Sequence, residues 1–315
     1  MIVTLTAHPS LDRTVTLAAP LQPGEVQTAT ASREDAGGKG INVARVIAAA
    51  GGATRAVLPL AVDDPFDAAL RGAGVDAVRV PVRGHVRANI TITDPAGVTT
   101  KLNLPGAILD AAELDALIAA TVDVARGADW LVLAGSLPPG AGDAFYVQVI
   151  AAVRSALGPD APRIAVDTSG PALREVVTHG APDLIKPNED ELSELTGIAL
   201  DPATPLVEDV VRIARHLVPS RTGAALITLG AHGAVYLRAD AAWAATPPRI
   251  QVRSTVGAGD SSLAGFLISD AAGGTPEESL TTGVRYGAAA ASLPGTQAPT
   301  PSDLPDGTVP VTRLF

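Results

Sequence analysis

From Asp110 onward, apolar runs of about five residues alternate with helical patterns, and this alternation restricts the fold more than any other feature of the chain. A helical pattern over 110–126 precedes the strand Trp130–Ala134, and one over 144–156 precedes a strand over 164–167. Asp183-Leu184-Ile185 leads into a helix over 188–196, and another helix spans 207–217. Ala224–Thr228 and Ala234–Arg238 read as strands, and helices follow from Ser261 and from Pro276. Strands alternating with helices predict an α/β protein of three layers, with a mostly parallel central sheet covered on both faces.

The first hundred residues do not share that regularity. Residues 2–7 read as a strand, 14–17 alternate like a strand with one wet face, and 35–40 form a glycine-rich stretch before a helix over 41–48. Strands over 56–60 and 75–80 surround a short helix over 65–72. Residues 88–93 and 98–102 flank Asp94-Pro95-Ala96-Gly97, a hairpin with its turn chemistry in place. These antiparallel pieces predict a small sheet projecting as a lid, from segments near 12–33 and 84–104. The rest of residues 1–315 reads as one domain, with a proline-rich tail from Gly295 wrapping the surface.

Composition narrows the function. Aromatic residues make up 3% against 47% apolar, so the core is expected to close with small side chains. The absence of cysteine excludes disulfides and thiolate metal sites. A formal charge of −10 argues against nucleic acid as a partner, so a phosphate site must gather a few cations locally. No apolar run reaches the length of a membrane span, and the chain opens directly on a strand. A soluble, cytoplasmic protein without a membrane partner is the expectation.

The stretch most informative about chemistry is Ser254-Thr255-Val256-Gly257-Ala258-Gly259-Asp260-Ser261-Ser262, leading into an apolar helix. Free amides and the positive dipole end make such a helix start an anion site, and Gly257 and Gly259 leave room for a phosphate. A carboxylate there fits phosphoryl transfer, with amides holding charge and Asp260 taking a proton from a hydroxyl. The same letters also spell an Asp N-cap after a glycine turn, and this stretch alone does not separate the two readings. The known phosphate loops fail. Gly38-Lys39 has Arg33 and Gly40 where a Walker A loop needs Gly and a hydroxyl, and Ser262 stands at the third glycine of a dinucleotide fingerprint. Ala134-Gly135-Ser136-Leu137-Pro138 has proline where a nucleophile elbow needs glycine.

Seven motifs in order resemble the ribokinase-like superfamily of carbohydrate kinases, in the branch of 1-phosphofructokinase and tagatose-6-phosphate kinase. They are His8-Pro9-Ser10-Leu11-Asp12, Gly37-Gly38-Lys39-Gly40-Ile41-Asn42-Val43-Ala44, Arg87-Ala88-Asn89-Ile90, Gly135-Ser136-Leu137-Pro138-Pro139-Gly140, Lys186-Pro187-Asn188-Glu189-Asp190-Glu191-Leu192, Thr228-Leu229-Gly230 and Thr255-Val256-Gly257-Ala258-Gly259-Asp260-Ser261. The resemblance implies a ribokinase-like fold and ATP-dependent phosphorylation of a ketohexose phosphate at a primary hydroxyl. D-fructose 1-phosphate, giving fructose 1,6-bisphosphate, is the favoured substrate, with tagatose 6-phosphate and fructose 6-phosphate as alternatives. A catalytically silent sugar-phosphate sensor is the alternative of another class.

By the same resemblance, Asp260 with Gly257, Ala258 and Gly259 forms the catalytic loop. Asp12, Gly37, Gly38, Lys39, Asn42, Arg87, Asn103 and Ser136 face the sugar phosphate. Leu104 departs from the acid that follows Asn103 in the family's pattern. Arg33, Arg45, Arg83 and Lys101 are weaker candidates for the same phosphate. Lys186, Asn188, Thr228 and Gly230, with Gly257 and Gly259, face the nucleotide. Asn188 and Glu191 organise Mg²⁺ through water, although an ordinary capping box explains the same letters. A monovalent cation near 287–297 and a homodimer formed through the lid complete the expectations, while His8 and the other histidines read as structural.

Overall fold

Trp130-Leu131-Val132-Leu133-Ala134 is buried along its whole length, a pattern that a strand satisfies only with cover on both faces. The computed structural model, which describes residues 1–315, provides that cover. In chain order the strands are β1 (Ile2–Leu5), β2 (Ser10–Leu17), β3 (Ala29–Gly37), β4 (Thr54–Leu60), β5 (Ala77–Pro81), β6 (Arg87–Thr93), β7 (Thr99–Asn103), β8 (Trp130–Ala134), β9 (Arg163–Asp167), β10 (Leu184–Ile185), β11 (Ala224–Thr228), β12 (Ala234–Arg238), β13 (Ala242–Ala245) and β14 (Val311–Arg313). The helices are α1 (Lys39–Ala49), α2 (Phe66–Gly72), α3 (Ala111–Val124), α4 (Phe145–Leu157), α5 (Gly170–Glu175), α6 (Glu189–Thr196), α7 (Leu206–Ala214), α8 (Ala258–Ala271) and α9 (Pro276–Ser292).

Ten strands form the main sheet in the order β14-β13-β12-β11-β10-β9-β8-β1-β4-β5. The pairs from β5 to β11 are parallel, and β12, β13 and β14 close one edge antiparallel. Successive side chains of β1 point to opposite faces. Ile2 packs with Val46, Leu263, Phe266 and Leu280 of α1, α8 and α9. Val3 and Leu5 pack with Leu117, Tyr146 and Val149 of α3 and α4. The result is the expected α/β/α sandwich.

A second sheet of four strands, ordered β3-β2-β6-β7, projects from it. Its central pair, β2 and β6, is parallel, and the outer pairs are antiparallel. Leu11 and Ala36 join Ile41, Phe66 and Leu70 in a small core that roots this sheet on α1 and α2.

Three departures from the sequence expectations have clear causes. The helix expected from 41 already begins at Lys39, and the glycine-rich stretch before it is divided between β3, which Asp35–Gly37 complete, and α1, which Lys39–Gly40 open. Most of β3 is exposed, so it carries no apolar alternation to read. α8 starts at Ala258, ahead of Ser261, since Gly257 in the left-handed region (φ 79°) makes the turn and Gly259 is already helical. The tail after Gly295 adds β14 to the edge of the sheet, pairing Ala245 with Val311.

Candidate active site

Parallel strands direct their C-terminal ends to one edge of the sheet, where helix N-termini also gather. At that edge β1 runs out to His8, β8 to Ser136, β9 ends on Asp167, and β10 leads to Lys186 and Asn188. The N-termini of α1 and α8 face the same place.

The starts of α1 and α8 both lack a side-chain cap. α3, α6 and α9 each carry a full capping box, whereas no side chain caps α8. The first i−4 bond of the helix is Ser261 N–H to Gly257 O, so Gly259 and Asp260 precede it with amides in the unpaired first turn. Ala258 N–H reaches Thr255 O only at 3.4 Å. Asp260 is therefore not an N-cap: it is the third residue of the helix, with Gly257 at the cap position. Its carboxylate accepts a hydrogen bond from Asn42 Nδ2 at 2.8 Å and is 7% exposed. Burial, reinforced by the charge of Asp167, pushes its pKa up to about 6, against the opposing pull of Lys39, Asn42 and Lys186.

Asp167 is the residue that the sequence reasoning missed. Wholly buried at the end of β9, it lies between two ammonium groups, Lys39 Nζ at 2.7 Å and Lys186 Nζ at 3.2 Å. Burial opposes its charge, but Lys186 and Lys39 outweigh burial and hold its carboxyl below the ordinary range. Its signal was available as an acid terminating the otherwise apolar strand Ile164-Ala165-Val166. Lys39 is consequently not the free, flexible ammonium that its glycine surroundings suggest. Burial acts against its charge, yet Asp167 raises its pKa further than burial lowers it. Lys186 lies close to α8, since a Cβ on Gly259 would stand 3.3 Å from its Nζ. Two carboxylates and two ammonium groups thus surround the uncapped helix start.

A second group of polar side chains hangs from the lid. Asp12 on β2 accepts from Ser10 Oγ and Asn89 Nδ2, each at 2.8 Å, and burial raises its pKa. Gly37 is required beside it, because a Cβ there would lie 2.2 Å from Asp12 Oδ2. Gly38, at φ 122°, turns the chain from β3 into α1. Arg87 at the start of β6 is half-buried close to Asp12 and His8. Ser136 stands 3.3 Å from His8 Nδ1. Asn42 Oδ1, Asn89 Oδ1, Arg87 Nε, Arg45 Nη1 and His8 Nε2 are all buried without a hydrogen-bond partner. Each such atom costs about 1–3 kcal/mol when left unpaired, so their concentration here suits a polyhydroxylated, anionic ligand.

Other candidates lie at the margin. Asn103 pairs with Asn89 in the sheet register and is exposed. Thr228 is half-buried and bridges to Asn188, and Gly230 opens an exposed turn after β11. Asn188 and Glu191 do form a capping box, with Glu191 N–H donating to Asn188 Oδ1 at 2.7 Å and Asn188 N–H to Glu191 Oε2 at 3.0 Å. The other carboxylate oxygen of Glu191 has no protein partner. Arg83 pairs with Asp110 and Glu113 at the foot of α3, and Arg33 pairs with Asp35 at 2.7 Å. A separate cavity of about 310 Å³, lined by Trp130, Arg163, Tyr236 and Asp270 among others, opens at the opposite end of the sheet and shares no residue with this region.

The description "pfkB family carbohydrate kinase" matches residues 8–303. The chain is 38% identical over 276 residues to a 1-phosphofructokinase of Rhodobacter capsulatus, covering 84% of this chain and 82% of that protein. It is 33% identical over 300 residues to the ATP-dependent 6-phosphofructokinase isozyme 2 of Escherichia coli, covering 94% of each. In three dimensions it is similar to Escherichia coli phosphofructokinase-2 in complex with potassium, with a TM-score of 0.87, 32% identity and 96% of each chain covered. It is also similar to Arabidopsis thaliana ribokinase complexed with ribose and ATP, with a TM-score of 0.72, 25% identity, and 97% of this chain and 95% of that one covered.

Proposed function

The chain belongs to the pfkB family of carbohydrate kinases, and on that premise we propose that it transfers the γ-phosphoryl group of ATP to a primary hydroxyl of D-fructose 1-phosphate, giving fructose 1,6-bisphosphate. The observation that carries the reaction type is the buried Asp260 carboxylate, bonded to Asn42 at an uncapped helix start beside Lys186. The substrate rests on the 1-phosphofructokinases, 31–38% identical to this chain over more than four-fifths of it. The Escherichia coli 6-phosphofructokinase isozyme supports fructose 6-phosphate as the second reading. An ADP-release assay on fructose 1-phosphate, fructose 6-phosphate, tagatose 6-phosphate and ribose separates them. We expect the highest kcat/KM with fructose 1-phosphate; no turnover on any of the four would leave a sugar-phosphate sensor.

In this reading Asp260 accepts the proton of the substrate's primary hydroxyl as that oxygen attacks the γ-phosphorus. The new O–P bond forms while the bond from phosphorus to the β–γ bridging oxygen breaks, and ADP leaves with that electron pair. A base whose pKa lies near the working pH is suited to this step. The amides of Ala258, Gly259 and Asp260 donate to the transferred group, and the turn at Gly257 lets the phosphate approach them. Asp12, with its hydrogen-bonded neighbours Ser10 and Asn89, accepts from sugar hydroxyls. Asn42 orients Asp260 and turns its unpartnered Oδ1 toward the sugar. Arg87, Ser136, Lys39 and the amides of Gly37 and Gly38 bind the sugar phosphate, with Asn103 at the rim.

Lys186, Thr228 and Gly230 flank the nucleotide. No group of three carboxylate or imidazole side chains forms a metal cage, which suits an ion held mainly by phosphates and water. Asn188 and the free oxygen of Glu191 are the residues that would hold Mg²⁺ through water, and the ion would neutralise phosphate charge. The buried, unpartnered hydroxyl of Thr296 lies in the 287–297 segment and suits a monovalent cation.

A further inference from the structure

The sequence left His8 without a role, yet it lies close to Ser136 and Arg87, two of the residues assigned above to the sugar phosphate. Its Nδ1 lies 3.3 Å from Ser136 Oγ, and its charge environment is set by Arg87. Its Nε2 is buried without a partner under the segment that leaves the lid, where a Cβ on Gly106 would come within 3.1 Å of it and 2.9 Å of Arg87 N. The imidazole therefore contacts Ser136 on the body of the protein and lies close to Arg87 and Gly106 at the base of the lid.

We propose that His8 is a specificity-determining contact of this kinase, donating its Nδ1–H to an oxygen of the bound sugar phosphate beside Ser136. The inference rests on the phosphosugar-kinase reading above. Burial, and then the positive charge of Arg87, lower the pKa of His8 to about 4, so the ring is neutral at neutral pH and carries one proton. Two tautomers compete for that proton. A proton on Nε2 leaves a buried N–H with no acceptor, while a proton on Nδ1 leaves only a lone pair unpaired and directs the N–H to the long 3.3 Å contact at Ser136 Oγ, which a ligand oxygen beside that hydroxyl can share. Left unmet, a buried donor is the more costly of the two. The Nδ1–H tautomer is the one that the surroundings select, and it points a donor to the side where Ser136 is exposed. Other charged or titratable groups near the ring are Arg87 and, through Arg87, Asp12.

Three substitutions test this. His8→Phe keeps the ring and removes both nitrogens; His8→Ala removes the ring; His8→Asn keeps an amide donor near the Nδ1 position. We expect Phe and Ala each to raise KM for fructose 1-phosphate about 10- to 100-fold, the worth of one hydrogen bond to a charged group. KM for ATP should stay within about twofold, and Asn should recover most of the loss. A Phe variant with the wild-type KM for the phosphosugar, or variants that move both KM values together, would overturn the proposal. In the unsubstituted protein at pH 7, phosphosugar without nucleotide should shift the ring resonance of His8. An unmoved resonance also overturns it, even if the variants fail to fold. The outcome is separable from the broader reading: wild-type protein inactive on all the phosphosugars defeats that reading, whereas active protein indifferent to His8 defeats only this inference.

Discussion

A single proton on Asp260 joins structure to rate and to stability. Asp260→Asn should lower kcat roughly 10²–10⁴-fold, the usual size of a general-base contribution, while circular dichroism stays unchanged. The same variant should be more heat-stable than the parent above pH 6. Folding raises this carboxyl from 3.8 to about 6. Between those values the folded chain holds a proton that the unfolded chain has released. Ionising Asp260 thus removes stability as pH rises through that window, and an amide escapes the penalty. Thermal denaturation at pH 5 and pH 8 checks the sign, and an Asn variant less stable at pH 8 would reject it. The acid limb of kcat/KM for ATP should lie near pH 6. Asn42→Ala removes a hydrogen bond that favours the carboxylate, so that limb should move to higher pH; a fixed or lower limb would show that Asn42 does not tune the base. Much at this scale was legible in the sequence. The Gly-Ala-Gly-Asp stretch marked Asp260, but the letters could not choose between cap and base, since that choice depends on the angle at Gly257 and on Asn42, 218 positions away. Asp167 escaped notice because its importance lies in two lysines that only the fold brings to it, Lys39 from the start of α1 and Lys186 from just beyond the neighbouring strand β10.

At the level of elements, the strands easiest to foresee were the apolar ones. β8, β11 and β12 match their expected bounds, since continuous burial leaves continuous apolar letters. β3 and β14 were invisible for the opposite reason, having mostly exposed residues and few apolar ones. The lid strand β6 is half-buried along its whole length, so it has one foot in the body and one in solvent. Its first residue, Arg87, pairs with Ser10 of β2 and so lies close to Asp12 and His8. Arg87→Ala should raise KM for the phosphosugar at least tenfold while changing KM for ATP little. Steady-state kinetics with each substrate varied in turn reads this, and equal effects on both would detach the lid from sugar recognition.

Across the whole molecule, the lid leaves β3 and β7 as sheet edges and exposes Val98, Leu102 and Leu104 at 64%, 51% and 43%. Exposed edges with apolar side chains invite pairing with a copy of the same chain. We expect a dimer in sedimentation experiments, converted toward monomer by Leu102→Asp; a monomer at micromolar concentration would contradict it. The parallel pairing of β2 with β6 has a different consequence, one for the order of assembly. Asp12 meets Asn89 across 77 positions of chain, and between them lie β3, α1, β4, α2 and β5. β1 and β8 close a longer loop but are buried throughout, whereas the lid strands are largely exposed or half-buried and gain little apolar burial to offset the closure of theirs. The flap should therefore be the last part of the newly made chain to settle and the first to exchange its amide hydrogens with deuterium, well before β1 and β8 do.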